Sequence, residues 1–202
     1  MIISFVLLVF TVTICNAFID KSLSMHIDKL FYSNPHWVKY TSAVPDTLFI
    51  MVCIIEIMTW SAYLYSRNKR TRDVFTACVL DIAYGVPVAY VLKDFLKFIF
   101  GRINTRVWLV RPDLYGFHWF HGGGNYNGFP SGHLAVFAAL TAALWRFYPR
   151  YRYVSLMFIT FLAAALIMTN YHFVSDIIAG IYLGVLVETN TFRILHRYRA
   201  TT

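Results

Sequence analysis

Residues 129–134 read Phe129-Pro130-Ser131-Gly132-His133-Leu134, directly ahead of an apolar run, and residues 171–176 read Tyr171-His172-Phe173-Val174-Ser175-Asp176 as another apolar run begins. Each stretch sets a histidine at the mouth of a predicted membrane helix. An ionisable group in that position is costly unless it is paired or handles something charged. The reading adopted here is that the charged partner is a phosphate.

Working outward, the surrounding chain has the composition of a bilayer protein. Of its 202 residues 58% are hydrophobic and only 14% are charged, too apolar a mixture for an ordinary soluble domain. One helical membrane domain over residues 1–202 is the expected organisation. The net charge of +8 does not point to nucleic acid, because the basic residues alternate with the apolar spans and form no single face. Cys15, Cys53 and Cys78 lie inside apolar runs without paired spacing, which reads as packing and not as disulfides or ligands. There is no CxxC or HExxH pattern, so no metal site and no cofactor are expected.

A hydrocarbon core of about 30 Å takes about 20 helical residues to cross. Met1 to Ile19 is nearly unbroken apolar sequence without a basic leader or a clear cleavage signal, and reads as a retained first span. Asp20 to Thr41, with His36 and Trp37, reads as an interfacial connection, part of it a surface-lying amphipathic helix. A second span is expected from Val44 to Tyr65, carrying Glu56 as an intramembrane carboxylate that is either functional or turned to the bundle interior. The arginines and lysines of Ser66 to Asp73 mark a cytoplasmic loop. A third span runs from Val74 to Phe100, with a kink expected at Gly85 and Pro87. Lys93 and Lys97 share a face near its far end, and Lys93 reads as a residue that snorkels to the interface. Three further spans follow: Ser131 to Trp145, Tyr153 to Tyr171, and His172 to Thr191. Six spans with both termini cytoplasmic satisfy every short basic loop and place Lys97, Arg102, His133, His172 and Asp176 at the outer surface. The connection Gly101 to Pro130 breaks the simple charge rule with Arg102, Arg106 and Arg111 on that same side, which suggests a job for them. His118 and His121, ahead of three glycines, read as part of a substrate lid.

At that surface the residue types suit phosphoryl transfer. His172 and Asp176 are four apart on one helix face, so the carboxylate can fix the imidazole's tautomer and leave the other nitrogen free to attack. His133 is positioned to protonate a leaving oxygen. Ser131 and Gly132 at a helix N-terminus form a cradle that an anion can approach, and Lys97 and Arg102 supply positive charge.

Together these stretches resemble the type 2 phosphatidic acid phosphatase superfamily, membrane lipid phosphatase branch. Its signatures are Lys with Arg-Pro following after six residues, then Pro-Ser-Gly-His, then Ser-Arg with His six past the Arg and Asp four beyond. Here Lys97, Pro130-Ser131-Gly132-His133, His172 and Asp176 match, while Asn104-Thr105 stands for Arg-Pro and Leu166 for the later arginine. The resemblance implies a metal-independent, all-α bundle of six transmembrane helices. In it His172 becomes a phosphohistidine, Asp176 orients it, and His133 is the acid. Lys97, Ser131, Gly132 and one of Arg102, Arg106 or Arg111 hold the phosphate, with Arg102 the first choice. The implied substrate is an amphiphilic lipid phosphate or pyrophosphate, drawn from membrane lipids and hydrolysed on the extracytoplasmic side of a bacterial inner membrane. A phosphotransferase and a non-catalytic lipid-binding or transport protein are the alternatives.

Overall fold

The computed structural model describes residues 2–31, 44–68 and 73–201, and among them the regular structure is helical. The aromatic stretch around Trp37 and part of the basic loop before Asp73 lie outside the described residues.

The first helix does not stop where the sequence turns polar. α1, Ile2–Ile14, passes through a π-type segment, Cys15–Ile19, directly into α2, Asp20–Phe31, as one 30-residue rod. Nothing between residues 2 and 31 is a proline or glycine, so no residue interrupts the backbone ladder. The expected connection beginning at Asp20 is therefore helix in its first part, and Asp20 itself is fully buried.

α3 is Val44–Asn68 and α4 is Val74–Phe100. Asp73 caps α4 by accepting from the Thr76 backbone N–H at 3.0 Å. α4 stays helical through Gly85 and Pro87 and ends on Gly101, whose φ of 51° is left-handed. A Cβ there would stand 1.9 Å from the His118 carbonyl oxygen, so only glycine fits. After the short α5, Thr105–Val110, come α6, Gly132–Phe147, α7, Arg152–Met168, and α8, Val174–Thr201. Among the described residues five helices are long and apolar enough to cross a membrane; α6, with 16 residues, is shorter.

α6 is the axis of the bundle, packed mainly on α8 and α4 and then on α7. It is rich in alanine, and α8 meets it through Gly180 and Gly184. A Cβ on Gly180 would fall 2.6 Å from the Ser131 carbonyl oxygen, and one on Gly184 would fall 2.3 Å from that of Ala135. Small residues at both faces let the two backbones touch, the way helices pack where no hydrophobic force drives them together. That approach sets the Ser131 turn against the start of α8. The Ser131 N–H donates to the Asp176 carbonyl at 3.0 Å. Outward faces of α1, α3 and α7 expose large apolar side chains such as Phe10, Ile57 and Phe161. This is the surface of an integral membrane protein.

Candidate active site

The loop entering α6 and the turn entering α8 bring the two histidines together. The rings of His133 and His172 have centroids 6.2 Å apart. His172 is buried, and its Nδ1 lies 3.0 Å from the Gly128 carbonyl oxygen. A carbonyl can only accept, so Nδ1 carries the hydrogen and Nε2 keeps its lone pair. Asp176 Oδ2 is 3.6 Å from the same Nδ1, beyond hydrogen-bond range, and acts on it through charge. Sequence spacing placed Asp176 near the imidazole, but nothing in it pointed to the Gly128 carbonyl as the bonded partner.

Asp176 is fixed on its other sides. Oδ2 accepts from the Phe173 backbone N–H at 2.9 Å, and Oδ1 accepts from Arg102 Nη1 at 2.5 Å. Arg102 is completely buried, with no exposed surface. Its Nη1 also donates to Ser175 Oγ at 2.5 Å, and its Nη2 to Asn16 Oδ1 and Asp20 Oδ2, both at 2.8 Å. Burial alone would lower the Arg102 pKa; Asp176 and Asp20 outweigh it and the pKa is raised. Tyr115, which donates to the Asn16 carbonyl at 2.7 Å, is pushed up to about 12, first by its burial.

The cationic side of the site comes from α4. A cleft of about 230 Å³ is lined by Lys93 and Lys97, by Gly132 and His133, and by apolar side chains of α3 such as Leu48, Phe49 and Val52. A Cβ on Gly132 would come within 2.6 Å of Lys93 Cδ and 3.5 Å of Lys97 Nζ, so the glycine leaves the floor of the cleft open to both lysines. Lys93 is held by Asp94 at 2.5 Å and lies 3.8 Å from the Tyr90 ring centroid. Ser131 Oγ is buried and has no hydrogen-bond partner among the described residues.

The arginines go elsewhere. Arg102 faces Asp176 and Asp20. Arg106 donates from Nε and Nη2 to the Thr169 carbonyl at 3.1 and 2.9 Å and covers the Tyr171 ring, clasping the chain just ahead of His172. Arg111 is exposed at the entry to the turn Pro112–Leu114. Glu56 sits one turn beyond Val52 on α3, outside the residues that line the cleft. His118 meets Tyr126 edge to face, and the Gly101–Pro130 loop is tied down by backbone bonds from Asn104, His118, Phe120, Gly122 and Gly128.

A family model, the PAP2 superfamily, matches residues 78–200. The chain belongs to that superfamily. The chain is 32% identical over 107 residues to a lipid A 1-phosphatase of Rhizobium johnstonii, a stretch covering 50% of this chain and 41% of that protein. It is also 32% identical over 99 residues to a lipid A 1-phosphatase of Rhizobium etli, covering 46% and 40%. It thus aligns with about two fifths of the length of these relatives. The fold is similar to that of a transmembrane PAP2-type phosphatidylglycerolphosphate phosphatase from Bacillus subtilis, with a TM-score of 0.51 at 17% identity over 95% of this chain and 96% of that one.

Within the PAP2 pattern, Leu166 stands where an arginine is usual, and its surroundings in the structure suit the leucine. Leu166 is packed in an apolar cluster with Leu134, Phe137, Leu162 and Ile177 and is 1% exposed. A guanidinium there would have no polar partner in that cluster. Two residues that the sequence did not single out for the site lie beside these groups: Lys93 in the cleft and Asp20 behind Arg102. Lys93 had a signal, since it shares the helix face of Lys97. Asp20 had none, because it lies far upstream of every motif.

Proposed function

We propose that this protein hydrolyses a lipid phosphate or lipid pyrophosphate through a phosphohistidine on His172. The single observation carrying this reading is the meeting of His133 and His172 beside a cleft lined by two lysines. The fixed Nδ1–H of His172 leaves Nε2 as the attacking atom. Nε2 bonds to phosphorus as the phosphorus–oxygen bond to the lipid breaks, and His133 gives its proton to the departing oxygen. Water then attacks the phosphohistidine, His133 takes back a proton, and phosphate leaves with His172 restored. Lys97, Lys93, the Ser131 hydroxyl and the Gly132 N–H at the start of α6 stabilise the charge on the phosphoryl oxygens. In this scheme the lysines take the place of the motif arginines, while Arg102 serves Asp176 and Arg106 supports the His172 turn. The chemistry needs no metal, so chelators are expected to leave the rate unchanged.

The apolar half of the cleft, toward α3, supports an amphiphilic substrate whose chains stay in the bilayer while its head group meets Lys97 and His133. Six crossings with the site on the extracytoplasmic side and both termini cytoplasmic is the proposed topology. Given the two Rhizobium relatives, lipid A carrying a 1-phosphate is the first substrate to assay, followed by polyprenyl pyrophosphate, phosphatidylglycerol phosphate and phosphatidic acid. Free phosphate should appear from at least one of them and be lost with His172→Ala at an unchanged melting temperature. Full activity in His172→Ala would overturn the mechanism. Transfer to an added acceptor lipid without free phosphate would make the protein a phosphotransferase.

A further inference from the structure

The family match begins at residue 78, yet the buried charge cluster behind His172 draws on residues of the first helix, well ahead of it. Asp20 is fully buried; its carboxylate accepts from Arg102 Nη2 at 2.8 Å and from the Ser175 backbone N–H at 3.2 Å, and Ser175 Oγ bonds to it as well. Arg102 joins it to Asp176, each ion pair having no exposed side-chain surface. We propose that Asp20 is a positioning residue of the active site, holding Arg102 so that Asp176 keeps its place and its negative field toward His172.

The argument is one of charge. A guanidinium alone on Asp176 would form a neutral pair, and His172 would feel little of the carboxylate. With Asp20 on the far side of Arg102, two carboxylates share one cation and the cluster keeps one net negative charge. When Nε2 of His172 bonds to phosphorus while Nδ1 keeps its hydrogen, the ring becomes cationic, and in a buried site a fixed negative charge nearby favours that step. The other groups facing this region are His133 across from His172, Lys97 on α4, Tyr115 and Asn16 on Arg102, and Lys21 over the Tyr115 ring. None of them is a carboxylate.

This inference rests on His172 being the nucleophile. The test uses full-length protein in mixed micelles with lipid A and phosphatidic acid as probes. Asp20→Asn is expected to lower kcat about 10- to 100-fold with KM within about threefold, as expected when a catalytic group is misplaced and binding is not. In an Asp176→Asn background, followed by single turnover, the same change should alter the rate less than about threefold, because its route to His172 is already gone. Should Asp20→Asn fail to fold, Ser175→Ala, which removes the hydroxyl bridging Asp20 and Arg102, should show the same kcat-selective and Asp176-dependent loss. A kcat within about twofold of wild type, or an equal loss in both backgrounds, would overturn the proposal. A wild type inert on these two lipids and on polyprenyl pyrophosphate and phosphatidylglycerol phosphate as well would overturn the phosphatase reading, and this inference with it, whereas an active wild type indifferent to Asp20 would sink the inference alone.

Discussion

Gly132 lines the cleft between the two lysines and His133, and its missing side chain can be tested. Gly132→Ala places a methyl group 2.6 Å from Lys93 Cδ and 3.5 Å from Lys97 Nζ. The flexible lysine can swing aside, so the fold should survive, but the floor of the cleft is raised where a phosphoryl oxygen would rest. The expected result is a fall in kcat/KM of about tenfold or more with an unchanged melting temperature. Lys93→Met offers a second measurement: a charged hydrogen bond of about 1.5–3 kcal/mol corresponds to roughly 10- to 100-fold in kcat/KM. No change would return Lys93 to an interfacial role. At this scale the sequence singled out His133, His172, Asp176 and Lys97 from two short motifs and their order along the chain, helical periodicity accounting for the His172–Asp176 pair, and the structure sets these residues near one another. It misread Lys93 as a residue reaching for the interface, since a lysine near a helix end looks the same whether it turns to water or to a cleft. Arg102 was the first choice among the three arginines for holding phosphate because it lies closest to Lys97, but proximity in sequence says nothing of the two carboxylates that enclose it.

Between elements, the contact that sets the site is the approach of α8 to α6. Gly184→Ala would drive a methyl group to within 2.3 Å of the Ala135 carbonyl oxygen and 2.7 Å of Ala138 Cβ, atoms that cannot move aside without separating the helices. Overpacking of this kind costs roughly 1–3 kcal/mol, read as a lower melting temperature in detergent, and activity should fall with it because the Ser131 turn rides on α8. A variant as stable and active as wild type would show that the two backbones are not in contact. Most helix positions were legible from apolar runs and basic punctuation. The exception was the first helix, which continues past Asp20 to Phe31. The polar stretch after the apolar one read as an interfacial connection, part of it a surface-lying helix, but here it prolongs the first helix and its first carboxylate is buried against a guanidinium that arrives from a distant part of the chain. The tight seam at Gly180 and Gly184 was also silent in sequence, as glycine in a membrane helix marks either a kink or a contact and nothing local decides which.

Across the whole molecule, a fully buried ion-pair system around Arg102 and a half-buried pair at Arg146 sit at opposite ends of the bundle. Arg146 meets Glu188 at 2.5 and 2.9 Å, twelve residues along α8 from Asp176, a rise of about 18 Å. Arg146→Ala leaves the 2%-exposed Glu188 carboxylate without its partner. A stability loss of about 1–3 kcal/mol is expected, less than for a fully buried pair because Arg146 is partly exposed, with kcat essentially unchanged. A kcat loss without a stability loss would mean that the two ends communicate. Sidedness has its own test. In a cysteine-free background, Gly123→Cys should react with a membrane-impermeant thiol reagent added outside intact cells, and Arg150→Cys only after lysis. The reverse pattern would turn the molecule over. Synthesis order gives the Asp20–Arg102 pair a last consequence. The ribosome delivers Asp20 first, Arg102 some eighty residues later and Asp176 last, so a counter-ion for Arg102 is already in the chain when the arginine is made. The first helix thus brings charge neutralisation for a fully buried guanidinium ahead of the helix that carries its second carboxylate.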